Sequence, residues 1–304
     1  MHKPLFTGEL TPMPPFDFSK SLQFVGEFKP TRGEQIIANQ SMTKAVMLAG
    51  QAVAFRVWAS GQVDKPVLHY EIYTNLASSD ALASIQAQIV DRIEFFLSLH
   101  DELGPFYAIA QNDPAFAPIM RRLYGYHQVK FLTPFENGCW AVLTQRNPIP
   151  LAAKMKRSLI ERYSQSIEVQ GETLWPFPSP SDMATASVDE LESLIANRQK
   201  AEYLRHVITA FDGIDEQWLR HAPAVEVEQW LRAIRGFGPF AASFVMLRGL
   251  GRMDTAMPNI KQFSQAVEKV YNAGKPLTEP DINRIAAGYG PWQGYWMHYL
   301  RAAG

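Results

Sequence analysis

The apolar residues of this 304-residue chain change their spacing close to residue 105. Before that point they tend to alternate, which predicts β-strands from about Phe16 to Asn75. Residues 79–99 then repeat apolar positions every three or four residues, which predicts an amphipathic helix packed on a small sheet. After Asp113 helical spacing dominates and prolines interrupt it. We therefore predict an α+β domain over residues 1–110 and an all-α domain over residues 111–304, with helices near 115–124, 136–145, 150–163, 188–196, 199–211, 226–234, 239–250, 260–271, 280–287 and 292–301.

Composition restricts the class of protein. Hydrophobic residues make up 47% of the chain, so it can bury a sizeable core. A single cysteine, Cys139, excludes a disulfide scaffold, a four-cysteine zinc site and a cysteine-ligated iron–sulfur cluster. No apolar run is long enough for a membrane span, and we expect a cytoplasmic protein. The net charge of −1 shows no overall basic excess of the kind that indicates binding to nucleic acid.

Residues 227–249 contain two amphipathic helical segments joined at Gly236 and Gly238. The glycines permit a tight turn, and Pro239 is suited to the first position of the second helix. Such a hairpin at a helix N-terminus presents free backbone N–H groups, so a phosphate can bind without a side-chain charge. An ordinary corner between two helices of an all-α protein is the alternative interpretation.

Residues 235–252, RGFGPFAASFVMLRGLGR, resemble the signature hairpin of the helix–hairpin–helix DNA glycosylase superfamily, especially its 3-methyladenine glycosylase II-like branch. Other segments follow in the order typical of that branch. They are residues 14–18, 113–116, 134–145, 177–180, 198–204 and 289–295. Because the matching order covers nearly the whole chain, the resemblance implies an all-α helix–hairpin–helix glycosylase domain behind the α+β domain.

The resemblance implies a base-excision-repair enzyme that acts on double-stranded DNA carrying alkylated bases. It would flip the damaged nucleotide out of the duplex, hold the base between aromatic faces and hydrolyse the N-glycosidic bond. It would need no metal or other cofactor, and we expect a monomer that associates with the nucleoid when bound to DNA. By position, the aromatic residues of the base pocket fall on Phe24, Phe240, Phe244, Trp292 and Trp296, with Tyr289 and Tyr295 nearby or behind. For Phe244 and Trp292, core packing is the alternative.

The resemblance also implies which residues contact DNA. Gln145 and Arg146 occupy the loop that probes the minor groove in relatives, where an apolar wedge often stands at the position of Arg146. An arginine can stack on the orphaned base, although a solvated loop arginine is the alternative. The hairpin residues expected at the DNA backbone are Gly236, Gly238, Arg235 and Arg248.

The catalytic position departs from the family pattern. In relatives an aspartate follows the hairpin's second helix, and counting in register through Pro258 places this position on Ile260, after Asn259. Neither residue supplies a carboxylate. Asp254 is the candidate stand-in, ahead of Glu136, Asp281 and Glu268, although relatives often have a second, non-catalytic aspartate there, and a capping or ion-pair role is the alternative. Lyase chemistry would need a lysine where Phe240 stands, so we expect a monofunctional enzyme.

Three hypotheses follow from this departure. The first is a weak or narrow glycosylase for cationic purines, which are good leaving groups without the aspartate. The second is a catalytically silent DNA- or lesion-binding protein on the same scaffold. The third is a glycosylase in which Asp254 supplies the catalytic carboxylate. Segment charges agree with DNA binding, since residues 115–160 hold seven basic residues against one acidic, and residues 232–261 hold five against one.

Overall fold

The computed structural model describes residues 3–75, 79–254 and 261–303. A five-stranded antiparallel sheet occupies the N-terminal part, in the order β1–β5–β4–β3–β2. Its strands are β1 (Phe6–Leu10), β2 (Gln35–Ala38), β3 (Ser41–Leu48), β4 (Gln51–Gln62) and β5 (Lys65–Thr74). The central strand β4 buries Val53 and Phe55 on one face and Ala54 on the other, as a period of two requires. Helix α2 (Ser79–Phe96) covers the first face, which confirms the predicted helix on the sheet.

The stretch between β1 and β2 is helical, which corrects the expectation of strands from about Phe16 onward. Helix α1 (Phe18–Glu27) begins after Asp17, whose carboxylate accepts the Ser19 N–H at 3.0 Å. An N-cap of this kind satisfies one of the free amides of the first turn. Phe16 and Phe18 are separated by one polar residue at the start of this helix, and such alternation is also typical of a strand.

The rest of the chain is mostly helical, as predicted. Sequence spacing did not reveal the short helices α3 and α9. The helices are α3 (Gly104–Ala110), α4 (Ala117–Arg122), α5 (Pro134–Leu143), α6 (Ile149–Tyr163), α7 (Val188–Ile195), α8 (Arg198–Asp212), α9 (Glu216–His221), α10 (Ala224–Ala233), α11 (Pro239–Phe244), α12 (Lys261–Tyr271), α13 (Glu279–Ala287) and α14 (Gln293–Ala303).

A β-hairpin interrupts the helices and corrects the all-α prediction for residues 111–304. Strands β6 (Ile167–Val169) and β7 (Glu172–Leu174) are joined by Gln170 and Gly171, both with positive φ. Two left-handed residues in succession form the turn that matches strand twist, and Gly171 adopts this conformation without strain. The hairpin packs on the second face of the sheet, so it connects the two parts of the chain.

Three hydrophobic cores result. The sheet core joins α1, α2 and the sheet. The first helical core joins α5 to α11, and the second joins α3, α4 and α12 to α14. Helix α3 belongs to the second helical core through Phe106 and Ala110. The boundary at residue 110 stays a prediction, and this packing favours a boundary before α3. Among the described residues, no helix is long and apolar enough to cross a membrane.

Candidate functional site

A tight turn joins α10 to α11. Gly236 has a φ of 101°, and a Cβ at this residue would lie 2.5 Å from Cγ of Tyr203. Gly238 has extended backbone, and a Cβ there would meet no atom within 4 Å. Gly236 is therefore required by the turn, whereas Gly238 leaves the start of α11 open to a ligand. Pro239 occupies the first helical turn, as predicted.

Five phenylalanine rings form a continuous series, here named the aromatic arc. It runs from α1 to the start of α11 through Phe24, Phe28, Phe131, Phe244 and Phe240. Neighbouring ring centroids are 4.9, 5.2, 6.0 and 6.1 Å apart in that order. Phe240 is 59% exposed, Phe131 is buried, and the other three rings are half-buried.

The arc lies where the three cores meet. Phe24 packs on both the sheet core and the second helical core, and Phe244 packs on both helical cores. The structure therefore brings together three of the predicted pocket residues, Phe24, Phe240 and Phe244, although Phe24 is over 200 residues from the other two in sequence. Sequence reasoning missed Phe28 and Phe131. Phe28 had a signal, because it stands one helical turn after Phe24.

The two tryptophans predicted for the pocket lie elsewhere. Trp296 is fully buried in the second helical core, and its Nε1 donates to the Tyr271 hydroxyl at 2.9 Å. This burial corrects its assignment as a base-contacting residue. The described ring partners of Trp292 are Phe106 and Tyr295, at 6.2 and 5.9 Å, so the structure places this half-buried ring on that core rather than in the arc.

Arg248 points inward, which corrects its assignment to the DNA backbone. The residue lies in a π-helical segment, Val245–Gly249, that continues α11. Its Nη2 donates to the Val129 carbonyl at 2.9 Å, and its guanidinium lies 4.9 Å from the Phe24 ring and 5.2 Å from the Phe28 ring. Burial lowers its pKa to about 10. Arg248 thus supports the back of the arc through cation–π contacts.

The loop after α5 lies against the hairpin. Gln145 donates through Nε2 to the Gly236 carbonyl at 2.8 Å, so the structure brings two predicted DNA-facing elements together. Arg146 is exposed and has a φ of 55°, which is uncommon for a non-glycine residue. Arg235 is also exposed. These positions leave both arginine side chains accessible on the hairpin side.

Part of the basic excess read from the sequence is buried. Lys156 Nζ lies 2.5 Å from Glu34 Oε1 and 2.6 Å from Glu136 Oε1. Lys130 donates to the Ser98 hydroxyl, and burial lowers its pKa to about 8. The segment charges therefore overstate the positive charge available to DNA.

The candidate catalytic carboxylates differ in their hydrogen-bond partners and in their exposure. Glu136 is paired with Lys156, Asp281 accepts hydrogen bonds from Thr278 and Arg284 at the start of α13, and Glu268 accepts the Leu277 N–H. Asp254 is exposed. Ile260 and Asn259 lie outside the described residues.

No family model matches the chain. It is 29% identical over 216 residues to a DNA-3-methyladenine glycosylase of Bacillus subtilis, covering 70% of this chain and 71% of that protein. It is 27% identical over 169 residues to DNA-3-methyladenine glycosylase 2 of Escherichia coli, covering 55% and 56%. A solved 3-methyladenine DNA glycosylase from Archaeoglobus fulgidus superimposes with a TM-score of 0.77 at 18% identity, covering 97% of each chain.

A hairpin between two helices and an aromatic arc at its edge accompany the similarity to these relatives, and the chain resembles the helix–hairpin–helix DNA glycosylase superfamily. Both sequence relatives carry names of 3-methyladenine glycosylases, so the similarity is to the 3-methyladenine glycosylase II-like branch.

Proposed function

We propose that this protein is a monofunctional DNA glycosylase that removes alkylated purines from double-stranded DNA as a monomer. The observation that carries the proposal is the position of the aromatic arc. It ends at Phe240, two residues after Gly238, so a stacking surface for a base lies beside the start of α11, which no side chain caps. A duplex held by the hairpin would present an extruded nucleotide to the arc.

The arc favours a particular kind of base. Its five rings are all phenylalanine, so their faces offer stacking and no hydrogen-bond donor or acceptor. A purine alkylated at N3 or N7 is cationic, and each contact with an aromatic face contributes about 0.5–2 kcal/mol. In the proposed reaction water adds to C1′ of the sugar and releases one proton to solvent, the N-glycosidic bond breaks, and its electron pair neutralises the departing purine. Phe240 stands where a lyase would need its lysine, so no Schiff base forms.

The carboxylate is the open element of this proposal. The family position falls on Ile260, and Asp254 is the exposed alternative. Release of 3-methyladenine and 7-methylguanine from methylated DNA tests both, with the wild type and Asp254→Asn measured side by side. A loss of release in Asp254→Asn assigns the carboxylate role to Asp254. Unchanged release leaves a weak glycosylase that acts without it.

A silent lesion-binding protein is the second candidate function, and the isoleucine at the catalytic position favours it. Binding to methylated duplex with no base release would support this candidate and exclude the glycosylase. Failure to bind duplex DNA at all would contradict both candidates.

A further inference from the structure

Lys200 is a buried lysine whose described hydrogen-bond acceptors are all main-chain carbonyls. Its Nζ donates to the carbonyls of Val142, Leu143 and Gln145 at 2.9, 3.2 and 2.6 Å. An ammonium group has three N–H donors, so each has one acceptor. The backbone N–H of Lys200 is also fixed, because it donates to Asn197 Oδ1 at 3.0 Å. Both ends of the residue are therefore held.

The three carbonyls belong to the end of α5 and to the turn that carries Arg146. The last carbonyls of a helix lack partners within the helix and hold the negative end of its dipole. Lys200 satisfies them from the side, and Asn147 Nδ2 donates to the Leu143 carbonyl as well, at 3.0 Å. Arg146 has a left-handed backbone in the middle of this turn. Such a conformation persists when the surrounding contacts hold it.

The same helix also holds the hairpin. Tyr203 lies one turn after Lys200 on α8, and its ring lies so close to Gly236 that a Cβ there would clash at 2.5 Å. Gln145 links the turn after α5 directly to the hairpin through its bond to the Gly236 carbonyl. One face of α8 thus fixes the Arg146 turn and the hairpin relative to each other.

We infer that Lys200 is a positioning residue that sets the distance between the Arg146 turn and the hairpin, so that Arg146 enters the duplex at a fixed offset from the bound phosphate. The inference rests on the proposed function. Removing the ammonium group frees the turn while the hairpin keeps its own support from Tyr203. Insertion into the duplex then weakens more than binding to the backbone does.

The test compares two duplexes of one sequence, the first intact and the second with a tetrahydrofuran abasic analogue at its centre. Only the second offers a gap that the Arg146 turn can fill. Lys200→Met keeps the alkyl stem and removes the three donors. We expect the preference for the abasic duplex to fall roughly 10-fold, since small misplacements of positioning groups have large effects. Affinity for the intact duplex should change less than about twofold, because the hairpin contacts remain.

Lys269→Met is the matched control, because Lys269 is an exposed helical lysine on α12, and it should keep the wild-type preference. An unchanged preference in Lys200→Met, or an equal loss on both duplexes, overturns the inference. If Lys200→Met does not fold by circular dichroism, Asn147→Ala replaces it, since it removes a second bond to the same turn. A preference unchanged in Asn147→Ala then overturns the inference. A wild type that binds neither duplex contradicts the proposed function instead.

Discussion

The aromatic arc and the second helical core are both rich in aromatic rings, but the rings differ in hydrogen bonding and in exposure to solvent. In the core, Tyr271 and Tyr289 donate to Asp113 Oδ2 at 2.6 and 2.8 Å, and Trp296 donates to Tyr271. Every one of these polar groups has a partner, as buried groups require. The arc consists of phenylalanine alone, and Phe240 at its end is 59% exposed.

The comparison shows that aromatic content does not by itself locate a ligand site. Exposure of an apolar ring costs free energy, about 25 cal/mol for each Å² left in water. An exposed ring at the end of the arc therefore needs an explanation that a buried, fully hydrogen-bonded ring does not. We propose that stacking on a base is that explanation for Phe240, whereas packing alone accounts for Trp296.

The largest effect we expect is on stability, from Trp296→Ala. Removing this fully buried indole should lower the free energy of unfolding by about 3–5 kcal/mol, through lost burial and a cavity. Urea denaturation measures the change. Trp175→Ala is the control, since Trp175 is 42% exposed, and it should cost less than about 1 kcal/mol. A similar small cost for Trp296→Ala would remove the distinction between core and arc.

Gly238→Asp is expected to weaken duplex binding about 100-fold, or ~3 kcal/mol, because a carboxylate would face the phosphate at the start of α11. The melting temperature should stay nearly constant, since a Cβ at Gly238 meets no atom within 4 Å. Gly104→Asp is the matched control, because Gly104 is an equally open glycine at the start of α3. Normal binding by Gly238→Asp would take the hairpin out of the interface.

Phe240→Ala should reduce 3-methyladenine release by about 5- to 150-fold, which corresponds to the loss of ~1–3 kcal/mol of base stacking. The unfolding free energy should change little, because more than half of the ring is exposed. Trp175→Ala, which removes an exposed ring outside the arc, should keep full activity. The opposite pattern, stability lost and activity kept, would make Phe240 a packing residue.

The smallest effect concerns the tyrosines of the core at alkaline pH. Burial raises the pKa of Tyr107 to about 12. The folded protein therefore keeps the Tyr107 proton at a pH where the unfolded chain releases it, near pH 10. The contribution of the neutral Tyr107 hydroxyl to the free energy of unfolding is complete below pH 10 and is lost as the pH rises toward 12.

Tyr107→Phe should make this alkaline decline shallower by at most ~1.4 kcal/mol per pH unit. Urea midpoints between pH 9 and pH 11.5 measure the slope. Phe240→Ala should keep the wild-type slope, because the ring it removes does not ionise. An equal slope in Tyr107→Phe would show that this hydroxyl does not titrate with unfolding.

The sequence predicted the helices well where a stripe of apolar residues repeats over three or more turns, as in α6 and α8. It failed where an element is short. Helices α3 and α9 span fewer than eight residues, and the β6–β7 hairpin has three residues per strand. Such elements carry too few apolar positions for a period to emerge, and contacts with distant parts of the chain stabilise them. The Gln170–Gly171 turn was the one local signal of the hairpin.

The site residues also differ in how well the sequence predicted them. Gly236 follows from local chemistry, because a tight turn with positive φ favours glycine, whereas the extended backbone of Gly238 does not require one. The resemblance implied that Gln145 and the hairpin both contact DNA, and this stays a prediction, while the structure adds a hydrogen bond from Gln145 to the Gly236 carbonyl. Arg248 and Trp296 went wrong because a position in a motif says nothing about which way its side chain points.

By itself, the sequence determined the sheet followed by helices, the glycine turn and the family resemblance, since each depends on residues close together in the chain. The tertiary structure alone decided which aromatic rings are exposed, which cations are buried, and that Lys200 supports the Arg146 turn. These properties depend on partners in other elements of the chain, as in the bond from Lys200 to Gln145, which lies 55 residues away. Burial and hydrogen bonding are set by the packed chain, so local patterns contain no record of them.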